Sequence, residues 1–401
     1  MSTQAVAPTT GAGIIEARKL RITVGYFLTF IALGLAMTWI GPTLPGLAAR
    51  MHRTPGEMSY VFTAMAFGYL LGTFLGGRAY DRLPGHRVMA AALVVMAGTL
   101  ALVPAVPLAY ALAAILVVLG VAQGIVDVGG NTLLVWVHRR GVGPFMNGMH
   151  FFFGVGALIA PIVVAQAIGL TGDIAWACWA LALLMVVPPV WVLRQPSPTG
   201  EHAAAEAQAS DRPSYPLLFL MAAFFFTFVG AELSFGGWIS TYTLGQGLGN
   251  EKIAAYAAAA FGGAMTLGRL VAVPVSLRVG PRTILFVDLV GCLASVAGIL
   301  AWPSSVAALW AGTIGMGFFM ASMFPTGINF AERRMAITGS ITSWFLVGGS
   351  LGNMTIPLLI GQLIGPVGPR VVMIAIVADL ALSLAIFAAI LVRRAPSRAE
   401  T

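Results

Sequence analysis

The chain has 401 residues, is 59% hydrophobic and 9% charged, and has a mean hydropathy of +0.91. Soluble domains are about 25% charged and about 45–50% apolar, so this composition excludes a soluble fold and makes lipid the solvent. The formal net charge of +8 reads as membrane topology, because the basic residues fall in turns between apolar runs, and no nucleic-acid partner is expected.

The apolar runs are continuous over the roughly 20 residues that a helix needs to cross a bilayer, not the roughly 10-residue alternating segments of a β-barrel. Twelve spans are predicted, at about 22–47, 58–79, 87–106, 108–136, 144–169, 174–193, 215–244, 253–276, 283–302, 305–330, 336–364 and 370–392. The fold class is therefore all-α integral membrane, with twelve transmembrane helices in two six-helix bundles. The expected division is a tail (1–21), an N-terminal bundle (22–194), a polar linker rich in Pro, Ala and Ser (195–214), a C-terminal bundle (215–392) and a second tail (393–401). No cleavable leader is predicted, since residues 1–17 hold no apolar run. Cys178 and Cys292 both lie in apolar segments, so no disulfide framework is implied.

The basic residues test this count. With the N-terminus in the cytoplasm, all but five of the 22 fall on the inner side. Arg50, Arg53, Lys252 and Arg370 fall outside, and Arg269 lies within a span. That asymmetry predicts both termini in the cytoplasm and a multi-pass protein of the inner or plasma membrane.

In chain order, the first candidate is Trp39 in span 1. The turn after span 2 holds Gly77, Asp81, Arg82 and Arg87, a charged set suited to latching the cytoplasmic side in one state. Span 4 places Gly120, Gln123, Gly124, Asp127 and Asn131 on one helical face. A carboxylate inside a span costs roughly 2.5–3.5 kcal/mol on insertion scales, so Asp127 is expected to face a bundle interior or a water path. It suits a proton or Na+, whereas Gln123 and Asn131 suit hydroxyl groups. Asn147 and His150 form a stripe with Gly154 and Pro161 on span 5. Span 7 carries a second carboxylate, Glu232, among Gly230, Gly236 and Gly237, and also Trp238. Arg269 on span 8 is read as structural, with Glu232 or Asp288 as its anion. Asp288 is read as a charge near the start of span 9, and Asp379 is left without a role. Trp39, Trp238 and Trp344 suit stacking on the C–H face of a sugar, and equally a place in the membrane-interface belt or in core packing.

The halves echo one another. Ala66-Phe67-Gly68 in span 2 matches Ala260-Phe261-Gly262 in span 8, and Gly156 and Pro161 in span 5 match Gly352 and Pro357 in span 11. The run from Gly77 through Asp81-Arg82 to Gly85 and Arg87 resembles the major facilitator signature G-x-x-x-D-R-x-G-R-R, with one extra residue at Pro84. Within that superfamily the chain is similar to the fucose permease-like sugar symporters, and especially to the sodium-dependent glucose transporter-like branch (the major facilitator domain-containing 4 type). The matching pieces are Gly41-Pro42-Thr43, Asp127 through Asn131, Pro144 through Phe151, and Val229 through Glu232. Fucose-type proton symporters carry an acidic residue in span 1, where this chain reads Trp39-Ile40-Gly41-Pro42.

The resemblance implies a monomeric, cation-coupled symporter of a monosaccharide or similar small polar solute, rocking around a site at the membrane midplane. Asp127 and Glu232 are the expected coupling residues. Gln123, Asn131, Asn147, His150 and the three tryptophans are the expected solute contacts. Na+ and H+ both stand as coupling ions, and no cofactor or bound metal is otherwise expected. The alternative is a proton-driven exporter of drugs or metabolites. No HExxH motif, nucleophile elbow or metal-ligand cluster is present, so no enzyme is expected.

Overall fold

The computed structural model describes residues 10–138, 143–198, 215–335 and 339–392. Among these residues the regular structure is helical, and twelve segments are long and apolar enough to cross a membrane. Span 1 comprises Thr10–Thr38 and Ile40–Arg50, followed by span 2 (Tyr60–Arg82), span 3 (Gly85–Leu102), span 4 (Ala109–His138) and span 5 (Gly143–Thr171). Span 6 is split into Ile174–Leu184 and Val187–Leu193. The second half comprises span 7 (Tyr215–Gly245), span 8 (Glu251–Ser276), span 9 (Pro281–Ala301), span 10 (Val306–Met320 and Met323–Glu332), span 11 (Gly339–Val367) and span 12 (Val371–Val392). The linker beyond residue 198, the turn holding Arg139 and Arg140, and the C-terminal tail from 393 lie outside the described residues.

Two features differ from the expected spans. The first helix starts at Thr10, well ahead of the apolar run, so part of the expected tail is helical. Spans 1, 6 and 10 are each interrupted, and each break has a proline just beyond it: Pro42, the pair Pro188 and Pro189, and Pro325. Proline has no N–H to bond the carbonyl four residues earlier and its ring clashes there, so the ladder breaks at that turn.

Small residues set the packing. An ideal Cβ on Gly120 would lie 2.1 Å from the Met65 carbonyl oxygen, and one on Gly72 would lie 2.1 Å from that of Val121. Spans 2 and 4 therefore touch backbone to backbone, which small residues alone permit. The repeat seen in the sequence has a direct structural counterpart. Gly156 of span 5 meets the Ile31 carbonyl of span 1, and Gly352 of span 11 meets the Phe226 carbonyl of span 7. The same contact is thus built once in each half.

The halves join through spans 1 and 7, 2 and 11, and 5 and 8. On the side away from the basic turns they are sealed. A Cβ on Gly41 would lie 2.7 Å from the Gly236 carbonyl oxygen, and one on Gly56 would lie 2.5 Å from that of Gly361. Phe62 packs on Trp238 with ring centroids 5.3 Å apart. Thr63 Oγ1 donates to the Met354 carbonyl at 2.8 Å, and Gln362 Nε2 donates to Ser59 Oγ at 3.2 Å. Nearby, a capping box joins Thr54 and Glu57, whose carboxylate accepts from the Thr54 N–H at 2.7 Å and so fixes the entry to span 2. Arg50 ties the end of span 1 to Asp173 before span 6 and to the Pro104 carbonyl.

Candidate solute and cation site

Asp127 sits midway along span 4, close against span 2 because Gly120 and Gly124 have no side chains to hold the helices apart. Its carboxylate accepts from the Tyr69 hydroxyl of span 2 and, at 3.0 Å, from Asn131 Nδ2 one turn later on span 4. Asn131 Nδ2 also donates to the Asp127 backbone carbonyl at 2.9 Å. Both side-chain donors are neutral. Such hydrogen bonds orient a carboxylate and leave it the spare lone pairs that a cation or proton takes.

Beyond Asp127 runs a line of ionisable groups that crosses from one half to the other. Asp127 interacts electrostatically with His150 of span 5, His150 with Arg269 of span 8, and Arg269 with Glu232 of span 7. The Arg269 guanidinium lies over the Phe153 ring of span 5, 5.8 Å from its centroid. This contact arises where a tight seam ends. Gly262 meets the Ala157 carbonyl, and Gly154 meets the Thr266 hydroxyl, so small residues hold spans 5 and 8 together. One turn further toward the basic turns, Phe153, His150 and Arg269 take over. His150 lies edge-on to Phe30 with centroids 5.5 Å apart and keeps an exposed surface. An ionisable side chain within a span normally faces the bundle interior or a water-filled path. Among the described residues, every hydrogen bond or ring contact across the halves lies at this level or on the sealed side.

The remaining expected residues fall in different places. Gln123 is buried and its Nε2 donates to the Ala36 carbonyl of span 1 at 2.6 Å, so its amide joins helices. Trp39 and Trp238 are fully buried; Trp238 packs on Phe62 in the seal, and its Nε1 donates to the Pro357 carbonyl at 3.1 Å. Trp344 is 50% exposed on span 11. Asn147 lies on span 5, and its side chain is outside the described residues. Asp288 is not a helix-start charge. It is buried and hydrogen-bonded to Ser322 at the break in span 10, which leaves Glu232 as the anion near Arg269. An added Cβ on Gly77 would meet nothing within 4 Å, and Asp81, Arg82 and Arg87 are exposed.

Two positions that sequence reasoning passed over carry contacts here. Tyr69 follows the repeated Ala66-Phe67-Gly68 piece, and only its hydroxyl tip set it apart from its apolar neighbours. His86 holds the span 2–3 turn, with Nε2 2.9 Å from the Tyr26 hydroxyl and Nδ1 3.0 Å from the Gln195 carbonyl. A cavity of about 340 Å³ lies outside the seal, lined by Pro45, Pro55, Thr241, Leu244, Gly245, Ile364 and Pro369. It holds no ionisable group and is separate from the charged line.

The Major Facilitator Superfamily domain matches residues 24–351. The chain belongs to the major facilitator superfamily. It is a transporter of that type, a multi-pass protein of the cell membrane that carries a small molecule across the bilayer. Its relatives lie in the branch that the sequence resembles. It is 28% identical over 374 residues to human "Sodium-dependent glucose transporter 1", covering 84% of this chain and 72% of the relative. It is 24% identical over 446 residues to human "Major facilitator superfamily domain-containing protein 4A", covering 86% and 87%. Among solved structures the nucleoside transporter NupG shares the fold, with a TM-score of 0.73, 17% identity, and coverage of 94% of this chain and 99% of that one.

Proposed function

We propose that this transporter is a cation-coupled symporter of a monosaccharide or similar small polar solute. It would alternate its access around the charged line between the halves. The observation that carries the reading is Asp127, a carboxylate inside a span, oriented by two neutral donors and in electrostatic contact with a line of groups that crosses the interface. A cation bound there changes the field felt by His150 and Arg269. Coupling follows when cation and solute together favour one arrangement of the halves over the other.

The ion is Na+ or H+. The printed names of the relatives make Na+ and glucose the first pair to test. Na+ takes oxygen ligands, and the Asp127 carboxylate, the Tyr69 hydroxyl and the Asn131 side-chain carbonyl are the nearby sources. The strong basic asymmetry of the turns supports cytoplasmic termini. In that orientation the sealed side is extracellular, and His150 opens to the cytoplasm in this conformation.

The test is glucose uptake into proteoliposomes under an imposed Na+ or H+ gradient. Accumulation driven by one ion and lost in Asp127→Asn supports the reading. Full uphill uptake by Asp127→Asn removes Asp127 from coupling.

A further inference from the structure

Glu232 and Arg269 have an unusual relationship. They interact electrostatically, yet no N···O approach within the 4.0 Å of an ion pair joins them. Among the described residues neither side chain makes a hydrogen bond to protein. Among the described residues the ring contact of Arg269 is with Phe153. Both side chains are partly buried, on neighbouring spans 7 and 8 of the same half. A carboxylate that only accepts and a guanidinium that only donates thus sit on neighbouring helices without a hydrogen-bond partner among the described residues.

Opposite charges at this depth normally close on each other, because each costs energy unpaired. Here no ion pair joins them. Gly268, next to Arg269, lies against the Phe318 carbonyl of span 10, and the Arg269 guanidinium lies over the Phe153 ring. On span 7, Gly230 and Gly236 bracket Glu232 and pack on span 11 and on Phe261 of span 8.

We propose that Glu232 and Arg269 together recognise hydroxyl groups of the transported solute, and that Glu232 is a solute ligand while the cation belongs to Asp127. A hydroxyl both donates and accepts, so one or two adjacent hydroxyls complete this pair by donating to Glu232 and accepting from Arg269. This inference rests on the reading of the protein as a symporter of small polar solutes, and it narrows the solute to a neutral polyol.

The experiment is competition for radiolabelled glucose uptake by each monodeoxy-glucose, in wild-type protein and in Glu232→Gln and Arg269→Gln. In wild type, one or two deoxy positions are expected to compete about 10- to 100-fold less well than glucose, the loss for a hydrogen bond to a charged group. In the variants the KM for glucose rises by a similar factor and the penalty at those positions disappears. The cation gradient still drives accumulation in both variants, because the cation is held at Asp127. The wild-type deoxy series keeps the test open if a variant does not fold. Equal competition by every deoxy-glucose overturns the inference, as does a variant with unaltered KM or one in which the cation gradient no longer drives accumulation. Sugar accumulation that persists in those cases leaves the symporter reading intact. Absence of any sugar uptake or competition, in protein that exchanges another solute, overturns both.

Discussion

The Tyr69 hydroxyl donates to the Asp127 carboxylate across the interface of spans 2 and 4. The bond exists because Gly120 and Gly124 bring the two backbones into contact, so a phenol on one helix reaches an acid on the other. Removing only the hydroxyl, in Tyr69→Phe, withdraws one charge-assisted hydrogen bond and one oxygen. The cation concentration for half-maximal uptake is expected to shift by about 10-fold, the worth of such a bond. Uptake measured against cation concentration checks this, and an unchanged midpoint contradicts a role for Tyr69 at the cation site.

The seal between the halves rests on backbone contact at Gly41, where a Cβ would meet the Gly236 and Gly237 carbonyls at 2.7 and 2.9 Å. Backbone cannot yield as a side-chain tip does. Gly41→Val is therefore expected to disfavour the sealed state and slow uptake. A Ser59→Cys reporter, placed at a buried position in the seal, should become more reactive to a membrane-impermeant thiol reagent applied from that side. The native cysteines, Cys178 and Cys292, are free but buried and leave a low background. Equal labelling with and without Gly41→Val contradicts the gate.

Two glycines separate packing from switching. Gly120→Leu pushes a side chain into the Met65 carbonyl, where even added methylenes cost about 1–3 kcal/mol, and it is expected to abolish folded protein on size-exclusion chromatography. Gly77 has nothing within 4 Å of an added Cβ, so Gly77→Ala is expected to fold normally and to slow transport only if the other conformation packs this turn. A thermal unfolding midpoint lowered by Gly77→Ala argues against the open placement seen here.

His86 joins the Tyr26 hydroxyl to the Gln195 carbonyl, and its backbone N–H bonds Ser197 Oγ at 3.2 Å. His86→Ala strands a buried phenol, and leaving a buried polar group unsatisfied costs about 1–3 kcal/mol. A lower thermal midpoint with unchanged cation dependence is expected. A changed cation midpoint with normal stability places His86 in coupling instead.

Much of the fold is legible in the sequence because bilayer thickness sets run length and each turn announces itself by charge. The doubled Gly156 and Gly352 contacts were visible as a weak repeat. Asp127, His150 and Glu232 were legible as chemistry because ionisable groups in apolar runs are costly. What the sequence hides is direction. Gln123 shares a face with Asp127, yet its amide turns to Ala36, and of the two readings open for Trp238, ring-stacking or packing, the structure shows it packed on Phe62. Asp288 was misjudged because its partner, Ser322, appears only once proline breaks span 10. Arg269 is read from sequence as structural with Glu232 or Asp288 as its anion; Asp288 bonds Ser322 instead, and among the described residues no ion pair joins Arg269 to Glu232.

The most direct test of the central claim is concentrative glucose uptake into proteoliposomes by wild type and Asp127→Asn under matched Na+ and H+ gradients, with downhill exchange as the control for folded protein. The account predicts that one gradient drives accumulation in wild type, and that Asp127→Asn exchanges glucose downhill but concentrates none. Accumulation by Asp127→Asn equal to wild type, or wild-type uptake indifferent to both gradients, contradicts it.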